Sequence, residues 1–529
     1  MITMGHESRQ SKPGFRVCDF LEGAAASFAA KPAVIHQERR ITYGELWEAS
    51  SRLSMRLKQL NLVPGSRVAL LSENSVVYVI AYFAVLLSGM VVVPLDTSLG
   101  PDNLASVLDD CDARVLITQQ RFQRCLQRAL SSGLQLNLVI FDGETAVKGP
   151  VQVESFSEIL SLNLSVSEPM LRSPDGHDSV DSELAAIFYT SGSSGRPKGV
   201  MLSHLNLVSN TRATVEYLGL SIDDSVMVVL PFGYIYGNSL MLTHVAAGGT
   251  LVIDNRFMYP EVILDTMEKE KVTGFSGVPS NYMILLDKST LARRKLSHLR
   301  YLTQAGGAMT SEVIHRLIKA VPRKDVYIMY GQTEASPRIT YLPPKELTAR
   351  PGSVGVPVPG VSVKLVDPSG SEVAPGEIGE IVVKGDCVMM GYWNQPYETE
   401  RVLHDGWLHT GDLARRDEEG YFYIVGRKSD IIKSGGHRIS AREIENRILE
   451  NEKVAEVSVF GIRDDVLGEA IKAVIVLRPG CRSDEKDIQT HCSRGLPVHK
   501  VPKFVVFRDI IPRQASGKVD KQALMNQNL

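Results

Sequence analysis

The sequence predicts an α/β protein. A large N-terminal domain of layered α/β sheets carries a small β-barrel-like subdomain, and a small mobile α+β domain closes the chain. Three observations predict this. Short β-branched runs alternate with helical patterns over the first 350 residues. From Pro351 the texture changes to Gly/Pro turns and short strands, as in "GSVGVPVPGVSVKLVDPSG". A third texture begins near Gly426. At 529 residues the chain exceeds what one core supports, so about two to four domains are expected.

The predicted strands of the large domain are Arg67–Leu71, Val91–Pro94, 113–118, 136–141, 185–189, 226–230, Thr250–Ile253, Gly274–Gly277, Tyr301–Gln304 and 326–329. Amphipathic helices are expected over 260–271 and Ser311–Ala320. Strands alternating with helices imply mostly parallel sheets. Residues 152–182 are Ser- and acid-rich and read mostly as surface connection. The β-rich piece spans about 350–425. In the third region Ser440-Ala-Arg-Glu443 is a capping box opening a helix, followed by strand-like runs at 457–460 and 473–477. The expected division is a disordered N-terminus over 1–15, a large domain over 16–427 that includes the β-rich piece, and a small C-terminal domain over 428–529.

One segment imitates a membrane span: "VVYVIAYFAVLLSGMVVVPL", from Val76 to Leu95, is twenty residues without a charge. Ser88-Gly89 reads as a helix terminus and Pro94 interrupts the far end, so a buried helix followed by a core strand fits better. Basic flanks are missing too.

With 58 Lys+Arg against 60 Asp+Glu, the net charge of −2 gives no reason to expect nucleic acid or an anionic membrane as partner. The six cysteines show no CxxC or metal-ligand spacing, which fits a reducing cytoplasm. The polar opening "MITMGHESRQSKPGF" has no apolar segment of the secretory kind. No internal repeat is present.

Chemistry enters with "FYTSGSSGRPKGVMLSH", Phe188 to His204. Small residues let backbone amides approach anion oxygens, hydroxyls add donors, and Arg196 and Lys198 add charge. The loop is not a Walker A motif. Lys198 is followed by Gly199 and Val200, so no hydroxyl stands ready for a metal. "YGQTEA", Tyr330 to Ala335, puts an aromatic face, a hydroxyl and a carboxylate at the end of a predicted strand, where α/β sheets bind ligands. "GWLHTGD" ends in Asp412, suited to two vicinal hydroxyls, and Arg427 follows fifteen residues later. "PRQASGKVDK" sets Lys518 behind a small-residue turn.

Together these motifs closely resemble the adenylate-forming superfamily: acyl- and aryl-CoA synthetases, adenylation domains of peptide synthetases, and firefly-type luciferases. The resemblance runs from about Phe20 to Lys521. It implies that Thr190, Ser191, Gly192, Ser193, Ser194, Gly195 and Lys198 close over the ATP phosphates. Ala308 and the Gly306-Gly307 turn would line the adenine and acyl sites, and Tyr330 would stack on adenine. Thr333 would touch the α-phosphate, Glu334 would help hold Mg²⁺, and Asp412 and Arg427 would take the ribose, with Lys433 among the nucleotide contacts. Lys518 would reach the substrate carboxylate and the α-phosphate, and it is implied, with Thr333 and Glu334, to be catalytic. Gly435 and Gly436, in "KSGGHRIS", would face the thiol arm of CoA or of a carrier protein. The sequence departs from the family pattern at Ser429, where the pivot normally carries Asp or Lys, and at Gly435, where related CoA ligases often have Lys.

The acyl pocket segment is expected to be "LPFGYIYGNSL". Amino-acid-activating relatives place an Asp here. None occurs between Leu230 and Leu240, so an α-amino acid is disfavoured. Tyr234, Tyr236, Met241, Met309, Gly331 and Pro337 suggest a largely apolar pocket for a fatty or aryl acid. Only sixteen residues, 336–351, separate "YGQTEA" from "GSVG", leaving no room for the insertion of fatty acyl-AMP ligases. The leading expectation is therefore ATP-dependent formation of an acyl-adenylate, then transfer to CoA. The alternative is loading of a separate carrier protein's phosphopantetheine. A luciferase-like oxygenase and a catalytically silent nucleotide sensor are disfavoured rivals. A homodimer is left open. A lysine about 4 Å from a phosphate oxygen gains about 4 kcal/mol at an effective dielectric near 20, so Lys518→Ala is expected to slow carboxylate-dependent ATP–pyrophosphate exchange by up to roughly three decades. Near-full exchange in that variant would remove Lys518 from the reaction.

Overall fold

The computed structural model describes residues 15–145, 147–162, 183–191, 197–435, 437–464, 466–513 and 519–526. Among them two large sheets face each other across a shared helical layer. The first runs, edge to edge, Val356–Pro357, Arg338–Leu342, Asp325–Gly331, Tyr301–Gln304, Gly274–Gly277, Ser225–Val228, Thr250–Ile253, Pro32–His36 and Arg39–Thr42. Its central strands are parallel, as the alternation predicted, and antiparallel strands close both edges. The second runs Gly391–Tyr392, Pro197–Ser203, Leu184–Ser191, Val91–Pro94, Arg67–Leu71, Val115–Gln119, Leu138–Asp142 and Gln152–Ser155.

The charge-free run at 76–95 is explained by this layering. Helix Val76–Leu87 is buried at every one of its twelve positions. It shares one apolar cluster with Val68, Leu70 and Val92 of one sheet and Val226, Val228 and Leu251 of the other. A helix covered on all sides needs no polar face, and burying each of its large aliphatic side chains stabilises by about 1.5–3 kcal/mol. Ser75 caps its start and Gly89, at φ +76°, turns the chain into Val91–Pro94. Among the described residues no helix is long and apolar enough to cross a membrane.

Two expectations need correction. Residues 152–161 are not surface connection: Gln152–Ser155 is an outer sheet strand and helix Phe156–Ser161 buries Phe156 and Ile159. Ser155 caps that helix, so its polar composition hid a start signal. Residues 163–182 lie outside the described ones. The capping box at Ser440 is half formed. Ser440 Oγ accepts from the Glu443 N–H at 3.4 Å, but the Glu443 carboxylate is taken by Lys500 at 2.7 Å. Ser440 instead donates to the Val425 carbonyl at 2.9 Å, tying helix Ala441–Leu449 to strand Phe422–Arg427.

The β-rich region is an antiparallel sheet in the order Ser362–Val366, Ile378–Lys384, Trp407–Arg416 and Leu403–His404, with Phe422–Arg427 also on Trp407–Arg416. The last region packs helices Ala441–Leu449 and Glu485–Ser493 on a sheet built around Gly468–Leu477, with Ile439, Ile444, Ile471, Ile475 and Ile488 in its core.

Two buried imidazoles cross-link the large domain, His204 from a helix start to the N-terminal segment and His244 from a helix to a sheet strand. His204 Nδ1 accepts the Val17 N–H at 3.1 Å. His244 lies 2.9 Å from the Tyr301 hydroxyl and 2.9 Å from the Leu240 carbonyl. Burial pushes His204 down to about 3 and His244 down to about 4, from 6.5. Between those values the unfolded chain binds the protons and the folded one does not. Stability is therefore fully present above pH 6.5 and falls as the pH drops towards 4, by about 1.4 kcal/mol per pH unit for each imidazole. Urea midpoints measured from pH 7.5 to 4.5 are expected to show that fall, and a flat profile would contradict the buried neutral state.

Candidate functional site

Strand Asp325–Gly331 ends in Tyr330-Gly331, and the next turn, Thr333–Ala335, carries Glu334. Gly331 admits no side chain: a Cβ there would stand 1.7 Å from the Pro337 carbonyl oxygen. The turn is held by the Met389 N–H donating to the Glu334 carbonyl at 2.9 Å and by Ser336 Oγ donating to the Cys387 carbonyl at 2.7 Å. Two polar clusters meet at this turn.

In the first, the Tyr330 hydroxyl donates to Asp412 Oδ2 at 2.6 Å and Arg427 Nε donates to Oδ1 at 2.8 Å. Asp412 is 4% exposed. Its pairing with Arg427 explains their fifteen-residue spacing, since the two sit opposite each other on the antiparallel strands Trp407–Arg416 and Phe422–Arg427. The Asp412 charge raises the Arg427 guanidinium further, while burial and then Asp412 hold the Tyr330 phenol well above its usual range. Tyr330 is therefore a donor at all ordinary pH.

In the second cluster, strand Gly391–Tyr392 pairs with Pro197–Ser203, the strand that leaves the Ser/Gly loop. Tyr392 donates to Glu334 Oε1 at 2.8 Å, and burial, then the Glu334 charge, raises its phenol. Lys198 Nζ lies 5.1 Å from the centre of the Tyr392 ring and donates to Glu398 Oε2 at 2.5 Å. Glu398 also accepts from Arg401 at 2.7 Å, and the Lys198 hydrogen bond holds its carboxyl below the usual range. The strands on either side of the loop, Leu184–Ser191 and Pro197–Ser203, pair antiparallel. Thr190 faces Lys198 in that register, and Thr190 Oγ1 donates to the Lys198 carbonyl at 3.5 Å.

Lys198, Glu334, Tyr330, Asp412 and Arg427 are thus brought together at one end of the two large sheets, with Thr333 in the same turn. Gly192, Ser193, Ser194, Gly195, Gly436 and Lys518 lie outside the described residues, and of Ser191 and Ser429 only the backbone is described. Gly306, Gly307 and Ala308 are exposed, and the Gln304 amide donates to the Gly307 carbonyl at 2.7 Å. Pro337 is buried. Tyr234 donates to Asp96 Oδ2 at 2.8 Å, so an acid does stand at the pocket segment, supplied by a distant loop. Tyr236 is buried, its hydroxyl 3.0 Å from the Thr303 carbonyl. Lys433 is exposed, its N–H donating to Glu469 at 2.5 Å, and Gly435, at φ +56°, donates to the Leu467 carbonyl at 2.9 Å. Tyr392, Glu398 and Asp96 were not singled out from sequence. Only the Gly391-Tyr392 pairing, visible in three dimensions, brings the first two to Lys198.

The profile of the AMP-binding enzyme family matches residues 21–393, and that of the AMP-binding enzyme C-terminal domain matches residues 443–518. The chain belongs to the AMP-binding enzyme family. As such it is an AMP-forming acid–thiol ligase of the acyl- and aryl-CoA type, which acts through an acyl-adenylate. This AMP-binding enzyme is 35% identical to the feruloyl-CoA synthase of an Amycolatopsis species over 92% of its own length and 94% of that protein's. It is 30% identical to the long-chain-fatty-acid–CoA ligase of Bacillus subtilis strain 168, covering 97% and 95%. A solved structure of the anthranilate CoA ligase AuaEII in complex with anthranoyl-AMP superposes with a TM-score of 0.86 at 26% identity, over 97% of each chain.

Any polyanion that recruits Lys198 must displace Glu398. Glu398→Gln is therefore expected to tighten inorganic pyrophosphate binding about two- to fivefold, the worth of a partly exposed ion pair. Calorimetric titration reads this directly, and weaker binding in the variant would contradict the competition.

Proposed function

We propose that this enzyme activates a fatty or aryl carboxylic acid with ATP and passes the acyl group to the thiol of CoA, in the cytoplasm. The observation that carries the proposal is the convergence of Lys198, Glu334, Tyr330, Asp412 and Arg427 on one turn. A cation, a hard carboxylate, an aromatic ring and a buried acid with two acceptor oxygens are what a nucleoside triphosphate needs from its site. Six unpaired cysteines, four of them buried, support the reducing compartment.

In this reading the Asp412 carboxylate accepts the two ribose hydroxyls and Arg427 orients it. Tyr330 offers its ring to the adenine. The turn at Gly331 and Thr333 presents the α-phosphate to the acid, and Lys198 takes the leaving phosphates once it has left Glu398. The substrate carboxylate oxygen attacks the α-phosphorus, the bond to the β-phosphate oxygen breaks, and pyrophosphate leaves with the electron pair. The thiolate sulfur then attacks the acyl carbon, the bond to the adenylate oxygen breaks, and AMP departs. Adenylation replaces an oxide leaving group with a phosphate ester, and the protein supplies mainly placed charge.

Glu334 fits a magnesium ion. It is a half-buried carboxylate with Oε1 oriented by Tyr392, and among the described residues no group of three or more His, Cys, Asp and Glu could form a complete cage. Mg²⁺ held by one carboxylate and substrate phosphates suits such a site; when bound, the ion neutralises phosphate charge.

A pyrophosphate-exchange screen over fatty, aryl, dicarboxylic and amino acids, followed by mass spectrometry with free CoA or a holo-carrier protein, tests the proposal. Exchange driven by fatty or aryl acids and an S-acyl-CoA product are expected. Acylation of the carrier alone would assign the other thiol, and exchange with amino acids alone would overturn the acid class.

A further inference from the structure

The strand that carries Lys198 has a second face, and the chemistry above makes no use of it. Side chains alternate along a strand. Lys198 and Tyr392 face the polar cluster, so their chain neighbours Gly199 and Trp393 face the opposite way, as does Tyr189, which pairs with Gly199 in the register. On that side Tyr189 and Trp393 pack against an apolar cluster that includes Leu104, Val107 and Leu108 of helix Pro101–Asp110.

Both are tied to the last residue of that helix. The Tyr189 hydroxyl donates to Asp110 Oδ2 at 2.5 Å. Burial above all raises the Tyr189 phenol, so it stays a donor at all ordinary pH. The Asp110 carbonyl is one of the four that end a helix without an intrahelical donor, and it accepts Trp393 Nε1 at 2.9 Å and Asn394 Nδ2 at 3.1 Å. The turn after the helix is braced in its own right. Arg67 Nε donates to the Cys111 carbonyl at 2.5 Å, and the guanidinium lies 5.2 Å from the centre of the Trp393 ring. Gly199 leaves room for this packing: a Cβ there would stand 2.9 Å from Ile187 Cγ2 and 3.2 Å from both Tyr189 Cζ and Trp393 Cβ. The Trp393 N–H completes the set by donating to the Gly199 carbonyl at 2.7 Å.

We infer that Tyr189 and Trp393 are positioning residues that clamp both strands flanking the Ser/Gly loop to the end of helix Pro101–Asp110, and so fix Thr190 and Lys198 for the phosphates of ATP and for pyrophosphate. The inference rests on the adenylation reading above and adds the support of its phosphate site. Each anchor is one residue removed from a group the phosphates would meet: Tyr189 precedes Thr190, and Trp393 bonds Gly199, which follows Lys198. A phenol on a carboxylate is a charge-assisted bond, stronger than one between neutral groups. Misplacing a positioned group by about 1 Å can cost up to about a hundredfold in rate. Among the described residues neither anchor hydrogen-bonds to the acyl pocket segment 230–240, so the clamp acts on the phosphates and not on the acid.

ATP–pyrophosphate exchange on the full-length enzyme, with calorimetric titration of pyrophosphate, tests the clamp. Tyr189→Phe is expected to raise KM for ATP and for pyrophosphate, and the calorimetric Kd, about fivefold, while KM for the acid stays within about twofold. Asp110→Ala is expected to match it, and the double variant to do no worse than either single one, because all three lack the same bond. Asp110→Asn keeps an acceptor oxygen and is expected to recover most of the loss. Should Tyr189→Phe fail to fold by thermal melt, Trp393→Phe, which keeps an aromatic ring and deletes the Nε1 donor, is expected to show the same split. Equal rises in KM for ATP and for the acid, an additive double variant, or no rise at all would overturn the inference and leave the adenylation reading standing. Wild-type exchange with no acid at all would overturn both.

Discussion

One carboxylate holds the site together. Asp412 is buried, and a buried acid is tolerated only where donors satisfy its oxygens. Tyr330 serves one oxygen from the end of a large-sheet strand, and Arg427 serves the other from the last position of a strand in the β-rich sheet. Three separate pieces of chain are fixed at a point by two hydrogen bonds. The next residue extends the arrangement. Lys428 donates to Glu380 at 2.6 Å, and His409 lies 3.0 Å from the same oxygen. Burial alone would raise the Glu380 carboxyl, but the bonds from His409 and Lys428 hold it below its usual range. The backbone leading to Ser429 is thereby anchored on the β-rich side.

The second cluster works by exchange of partners. Tyr392 touches both of its charges, donating to Glu334 while its ring faces Lys198. One phenol thus orients an acid and a base whose sequence positions lie far apart. Its own position follows from two-residue pairing with the strand after the Ser/Gly loop. The two clusters differ in kind: the first holds a buried acid with one donor on each oxygen, the second is built from contacts that a ligand can replace.

Much of this could be read in the sequence. The Ser/Gly loop, "YGQTEA", Asp412 and Arg427 announced themselves because each is local: a loop, a strand end, two facing positions of a hairpin. The run at 76–95 was legible as helix plus strand because Ser88-Gly89 marks a terminus. What stayed hidden is non-local. Glu398 meets Lys198 across 200 positions. Asp96 reaches Tyr234 from another sheet's loop, so a search for acids within 230–240 could not find it. Arg338 reads in sequence as an ordinary strand residue, and only the fold shows it buried against the Tyr236 ring. The half-formed cap at Ser440 teaches the same lesson, since Lys500, 57 positions away, claims the carboxylate that the local pattern had assigned to the backbone.

The Lys198–Glu398 pair gives the lysine a counter-ion from within the chain. A simple anion such as chloride offers a single charge, no more than the carboxylate it would have to replace, and it brings no second point of attachment. A triphosphate brings several charges at once. The site therefore has a charge threshold. It stays quiet in a salt solution full of small anions and yields only to a ligand that outnumbers its resident.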